Sequence, residues 1–354
     1  MSILTYKTRL SPVCVPHHSH TLPTFAKMNP TEAAQSPLVL IALFGGTGVG
    51  KSTFANDASG GNLPVGRDLN SCTREVTRSP VFNVDGKRVV LIDTPGFDDN
   101  EVSDVGTLKQ IAAFMSETYG VGQRLTGIIY LHRISDNRMG GSSARTFNLF
   151  RRMCGTETLK NVVIATNMWS RPPTEAEHRR EGQLRDEFFK PALDERARLV
   201  RRATPGRDSA IDIIRLVLGQ QARPTRIQQE LVDERRTLID TEVGKTLEMQ
   251  LRDRVERQQR EINEVRQEIR TEIAAHGQAA AAELERYEKE KEEEMAQLRD
   301  GIEVLRAGLE RERRLYRERL HEEQRLFDLE QEKKKAKPRF REKVKGFFGI
   351  GGGK

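Results

Sequence analysis

The stretch LVLIALFGGTGVGKST, residues 38–53, decides how the chain folds. Its first seven residues form a nearly continuous apolar run, the pattern of a strand buried on both faces. A glycine-rich turn follows at once, and STFANDASG (52–60) then reads as a helix. Strand, glycine turn and helix, in that order, is the setting in which G-x-x-x-x-G-K-[ST] binds phosphate. Gly45, Gly50, Lys51 and Ser52 fill the pattern, and Gly48, Val49 and Thr53 complete the stretch. Glycines let the backbone curl with its amides pointing inward, and the helix adds its positive N-terminal end. In such a loop the lysine bridges the β- and γ-phosphates of a nucleotide while the Ser hydroxyl ligates Mg²⁺.

Downstream lies KRVVLIDTPGFDD, residues 87–99. A strand ending in Asp93 brings a carboxylate to the metal, so Ser52 and Asp93 are candidate metal residues. In a D-x-x-G loop the glycine amide meets the γ-phosphate, which gives Gly96 the role of sensing it. Between the two lies SCTREVTRSP (71–80), where a hydroxyl is needed to complete the Mg²⁺ shell. Thr73 is the candidate, with Thr77 as the alternative.

Strand and helix patterns alternate along the rest of residues 37–222. VFNV (81–84) and KRVVLID (87–93) flank Asp85-Gly86, a hairpin signal. TGIIYLHR (126–133), NVVIAT (161–166) and, more weakly, ARLVRRA (197–203) read as strands. Helical patterns fall at 104–118, 142–153, 174–196 and 208–219. The fold class that follows is α/β: a doubly wound, mostly parallel sheet with one antiparallel edge.

From about residue 223 to 335, Gly and Pro nearly vanish while Glu, Arg, Gln and Leu dominate. Leu247, Leu251, Val255, Ile262, Val265, Ile269 and Ile273 recur at three-, four- and seven-residue steps. Met295, Leu298, Ile302, Leu305 and Leu309 repeat the pattern. A narrow apolar seam of this kind marks a long α-helical, coiled-coil extension. Gly277 is a candidate break at which two helices fold back on each other; the alternative is pairing with a second chain.

Charge divides along the same lines. Residues 37–222 carry 25 basic and 21 acidic side chains, residues 223–332 carry 22 and 29, and the last 22 residues carry nine and one. An acidic segment beside a basic tail does not describe a simple nucleic-acid binder, and no specific nucleic acid is expected. Three scattered cysteines, Cys14, Cys72 and Cys154, suggest neither a disulfide framework nor a zinc site. No apolar run reaches the roughly 18 residues of a membrane span. Residues 1–36, rich in Pro, Ser, Thr and His, read as a disordered tail. Residues 336–354 interleave basic side chains with Phe340, Val344, Phe347, Phe348 and Ile350, a composition suited to an anionic membrane surface. The expected location is cytoplasmic, with peripheral membrane attachment through that tail.

GGTGVGKST, the Thr of SCTRE, DTPG and the strand-end TNMW (166–169) together resemble septin-related G domains. Within these, the chain is similar to the immune-associated nucleotide-binding GTPases and the chloroplast outer-envelope import receptors (Toc GTPases). IALFGGTGVGKST and YLHRISDNRMGG (130–141) look like a fungal branch of the group. The resemblance covers about residues 37–220. It implies a P-loop G domain that binds GTP or GDP with Mg²⁺ and forms homodimers across its nucleotide face; the coiled coil offers a second route to a homodimer.

Two features depart from that pattern. The usual base-reading motif ends in Asp, whereas Thr166-Asn167-Met168-Trp169 has none. Asn167 remains a candidate for the base, and Trp169 either stacks on it or caps the core. Guanine preference therefore comes from the resemblance alone, and an ATPase or general NTPase is the alternative. The position after the D-x-x-G loop, where many GTPases orient water with Gln, is Phe97, so intrinsic hydrolysis is expected to be slow. Arg133 and Arg138 have the spacing of two Toc arginines, the second of which reaches a partner's nucleotide. Arg138 is thus a candidate catalytic residue supplied in trans, beside Lys51 and Thr73. The plainer alternative ties Arg133 to Asp136 at the surface. His132 reads as a strand-end residue. The activity these features imply is slow GTP hydrolysis that controls self-association; the rival is a nucleotide-controlled scaffold with negligible turnover.

Overall fold

The computed structural model describes residues 38–65, 75–97, 101–136, 141–276 and 282–322, with 325 and 329 beyond them. The apolar run becomes β1 (Val39–Phe44), buried at all six positions. It lies between two parallel neighbours, β4 (Lys87–Asp93) and β5 (Gly127–Arg133). β6 (Val162–Asn167) and β7 (Arg198–Arg201) extend the sheet beyond β5, again in parallel. On the other edge, β2 (Thr77–Arg78) and β3 (Phe82–Val84) both run antiparallel to β4. The order is β2-β4-β1-β5-β6-β7, with β3 following β2 along β4.

The antiparallel edge follows from local chemistry. Asp85 and Gly86 turn with φ of 50° and 78°, the positive pair that a two-residue hairpin needs. Pro80 cannot donate to β4. Ser79 bridges the gap: its amide donates to Leu91 O at 2.8 Å, and its hydroxyl accepts from the Leu91 amide at 2.9 Å.

Alternation along the buried strands builds two cores. Ile41, Leu43, Leu91, Ile129 and Val163 face α1 (Lys51–Ser59) and α7 (Arg207–Leu218), meeting Phe54, Ile213, Ile214 and Val217. Leu40, Ala42, Phe44, Ile92, Ile128, Tyr130 and Ile164 face α2 (Glu101–Gly120) and α3 (Gly141–Cys154). Each fully buried aliphatic or aromatic side chain contributes about 1.5–3 kcal/mol. Gly127 opens β5 where a Cβ would come 2.4 Å from the Val217 side chain, so glycine lets α7 lie close on the sheet.

The extension is welded to the second core. Thr225 caps a short turn, and the Gln228 side-chain Nε2 donates to Met115 O of α2 at 3.0 Å. The long helix that starts at Glu242 and ends at His276 sends Val243, Leu247 and Leu251 into the same apolar cluster as Phe44 and Phe114. A second helix, Ala282–Arg306, packs antiparallel against it. Arg266 pairs with Glu288 and Glu292, Arg306 with Glu248, and Gln258 with Glu294. The seam is therefore covered by the chain's own second helix; Gly277 lies outside the described residues.

Beyond Leu309 the chain does something the seam pattern does not foretell. Residues 310–322 form another helix that returns to α2 and β2 instead of continuing the coil. Tyr316 packs edge-on against Phe114 at 5.7 Å, and its hydroxyl accepts from Arg78. Lys109 pairs with Glu312 at 3.2 Å, Arg313 donates to the Ser116 hydroxyl at 3.1 Å, and Arg319 pairs with Glu75. Tyr316→Ala removes the ring from this contact and is expected to destabilise the chain by about 3–5 kcal/mol. Tyr316→Phe, which loses only the hydroxyl bond, is expected to cost about 1–3 kcal/mol. Urea denaturation followed by circular dichroism measures both; equal, negligible effects would mean the returning helix is not anchored through this ring.

Candidate phosphate-binding site

The turn after β1 takes a path open only to glycine. Gly45, Gly48 and Gly50 have φ of 140°, 75° and 92°. A Cβ on Gly45 would come 2.3 Å from Leu131 O, and one on Gly50 would come 2.9 Å from the Asn167 side chain. The Lys51 ammonium curls back over the turn, donating to Gly45 O at 3.1 Å and Gly46 O at 2.8 Å. Val49 packs into the core facing α1, while Thr53 sits in the first turn of that helix.

The end of β4 lies against this turn. Ser52 Oγ donates to Asp93 Oδ2 at 2.6 Å. Thr94 donates to Leu43 O at 2.6 Å, and the Thr47 amide donates to Phe97 O at 3.1 Å. Gly96 is so close that a Cβ there would sit 2.6 Å from the Thr47 amide nitrogen. The D-T-P-G segment is thus pinned to the phosphate loop, with Gly96 beside it. Phe97 is buried in the core on the α2 face.

A hydroxyl and a carboxylate at the start of a helix are hard oxygen donors that suit Mg²⁺. Among the described residues, no group of three His, Cys, Asp or Glu side chains could hold a metal alone. Ser52 and Asp93 would hold Mg²⁺ here, and the ion would neutralise phosphate charge. Thr77, the alternative metal hydroxyl, sits in β2 opposite Asp93. Thr73 and Arg138 lie outside the described residues.

The end of β6 flanks the loop on its other side. Asn167 is buried and donates to Val49 O at 3.1 Å, so it braces the phosphate turn. Met168 follows with φ 59° and is exposed, its tip near Gly50. Trp169 caps the core: its indole N–H donates to Thr166, and the Arg201 guanidinium covers its ring at 4.1 Å. The indole is buried, and the His178 ring lies 5.9 Å away, in contact with Arg201. Behind it, the Thr174 and Ser170 amides hold the Glu177 carboxylate down at about 2. Arg133 is tied to Asp136, as the plainer reading has it.

Arg202 escaped sequence reasoning. It lies at the C-terminal side of β7, yet it is almost wholly buried and reaches Asp57 of α1. The doublet Arg201-Arg202 at a strand end was the only signal, and nothing in it says that the second arginine turns inward.

Residues 40–138 match the family model of the 50S ribosome-binding GTPases. GTP-binding protein A of Dictyostelium discoideum is 30% identical over 127 residues, a stretch that is 35% of this chain and 26% of that relative. The match thus spans about a quarter of the relative's length. Among solved structures, Toc33 of Arabidopsis thaliana in complex with Mg²⁺ and GMPPNP aligns at 14% identity and TM-score 0.40, covering 52% of this chain and 87% of that one. Era of Aquifex aeolicus bound to GDP and AlF₄⁻ aligns at 16% and 0.39, covering 52% and 58%. The segment matched by the family model contains nearly all of β1, the glycine turn, α1 and β4, which together build the phosphate-loop geometry.

His132, at the end of β5, provides a pH test of the fold around the site. It is buried edge-on to Phe189 at 5.5 Å, and burial pushes its pKa down from 6.5 to about 4. The unfolded chain therefore takes up a proton near pH 6.5 that the folded chain refuses until about pH 4. Stability falls as pH drops through that window, by roughly 3 kcal/mol in total. His132→Phe should flatten this part of the profile in urea titrations between pH 7 and 4; an unchanged slope would place the acid sensitivity elsewhere.

Proposed function

We propose that the protein binds GTP with Mg²⁺, hydrolyses it slowly to GDP and phosphate, and self-associates according to the nucleotide it holds. The observation that carries this reading is the Ser52–Asp93 contact of 2.6 Å beside a glycine turn capped by the Lys51 ammonium. It joins a phosphate cradle to a metal-binding pair. The family match over residues 40–138 and the resemblance to immune-associated and chloroplast import GTPases support guanine as the base. The absence of a carboxylate from Thr166–Trp169 keeps ATP as the competitor.

For hydrolysis, Lys51 neutralises charge between the β- and γ-phosphates, and the Gly96 amide meets the γ-phosphate. A water molecule attacks phosphorus and the bond to the β-γ bridging oxygen breaks. Phe97 supports slow turnover, since its apolar side chain is buried and cannot orient that water. The same observation favours the second reading, a nucleotide-controlled scaffold with negligible turnover. Arg138 from a facing subunit is the source of transition-state charge in the first reading. The basic, aromatic tail at 336–354 would bring a cytoplasmic protein to an anionic membrane surface.

Lys51→Ala should abolish binding of GTP and GDP, with a fall of at least about a hundredfold, while the thermal midpoint shifts little. Undiminished affinity in a folded variant, measured by calorimetry, would remove the phosphate-loop reading.

Turnover per subunit should rise with protein concentration, and Arg138→Ala should lower it, by up to roughly 10³-fold, with GTP affinity little changed. Phosphate release across nanomolar to high micromolar protein measures this. Flat specific activity and a neutral Arg138→Ala would leave the scaffold reading in place.

A further inference from the structure

Arg202 is the largest of the fully buried side chains among the described residues. Its backbone amide donates to Thr166 O at 2.8 Å, one residue before the Asn167 that braces the phosphate turn. Its side chain then turns under the loop between β7 and α7. One Nη reaches Asp57 Oδ2 at 2.5 Å and Gly206 O at 3.4 Å, and Nε donates to the Ser209 hydroxyl at 3.2 Å. The guanidinium lies 4.8 Å from the Phe54 ring centre. Asp57 Oδ2 accepts a second bond, from the Gly206 amide at 3.1 Å, and Arg207 donates to Ala58 O at 2.9 Å. Both ends of the loop 202–206 are therefore tied to α1.

That helix begins with Lys51 and Ser52, so it carries the phosphate side of the site. Asp57 lies six residues on, about 9 Å along the axis. In a doubly wound sheet, ligands lie across the carboxyl ends of the strands. A nucleotide whose phosphates sit at the end of β1, beside an Asn167 that closes β6, runs its nucleoside toward the ends of β6 and β7. The loop 202–206 follows the carboxyl end of β7, the edge toward which that path would run. A buried ion pair adds little stability over apolar residues of equal volume, but it does fix geometry. Here it ties α1, which carries the phosphate turn at its start, to the loop after β7.

We propose that Arg202, acting through Asp57, is a positioning residue for the nucleoside half of the site: it sets how tightly the sugar and base are held without touching phosphate binding. The inference rests on the nucleotide-binding reading above, and two probes separate their failures. Full-length wild type, Asp57→Asn and Arg202→Met are titrated with Mg²⁺ and either GDP or inorganic pyrophosphate, after thermal melts confirm folding. Both variants should weaken GDP about tenfold while pyrophosphate affinity stays within about twofold. The ratio of the two affinities is a readout that general loosening of the fold would not change selectively. Asp57→Asn, which keeps side-chain size, decides the matter if Arg202→Met does not fold. Equal losses for both probes, or unchanged GDP affinity in a folded variant, would overturn the positioning role. A wild-type chain that binds neither probe would overturn the nucleotide reading and this inference with it.

Discussion

The turn from Gly45 to Gly50 is gripped from two sides, and the rest of the site depends on that grip. On one side the Thr47 amide bonds to Phe97 O, just beyond the D-T-P-G segment. On the other, Asn167 bonds to Val49 O from the end of β6. A glycine turn left to itself would sample many conformations, because glycine has more backbone freedom to lose than any other residue. Here strands on both sides of β1 hold it in one shape, with the Lys51 ammonium across its mouth. The sheet order makes this possible, since β4 and β5 flank β1 and β6 follows β5.

The same grip links the site to the helical extension. Phe97 is both the acceptor for Thr47 and a core residue under α2. Along α2, Phe114 and Ser116 meet Tyr316 and Arg313 of the returning helix, while Met115 O holds Gln228. Between the phosphate turn and the extension lie a few packed side chains and one rigid helix. The Lys109–Glu312 pair on this path is largely buried, whereas Arg319–Glu75 is exposed and the easiest of these contacts to exchange with water.

Much of this was legible in the sequence, where local pattern and chemistry agree. LVLIALF before a glycine turn, a strand ending in Asp93, and Asp85-Gly86 between two short strands each have one physical solution, and the structure adopts it. The apolar seam likewise resolves into two helices, Glu242–His276 and Ala282–Arg306, that fold together. What stayed hidden depends on contacts between residues far apart in the chain. Arg202 and Asp57 are 145 positions apart, and a polar doublet at a strand end looks solvated until the loop is seen to close over it. The return of residues 310–322 to α2 escaped for the same reason: a charged helix with one tyrosine carries no periodic signal of its partner. Trp169 stood between two readings in the sequence; in the structure it is buried, with its indole N–H on Thr166 and Arg201 over its ring.

Hydrogen exchange on the full-length chain tests the central claim most directly. Amide exchange is compared for the free protein, the protein with GDP and Mg²⁺, and the protein with a non-hydrolysable GTP analogue and Mg²⁺. Both nucleotides should slow exchange in residues 45–53, where the glycine turn would hold phosphate. Only the triphosphate should add protection at residues 94–97, where the Gly96 amide would meet the γ-phosphate. Unchanged exchange in both segments at saturating nucleotide would contradict the site as described here.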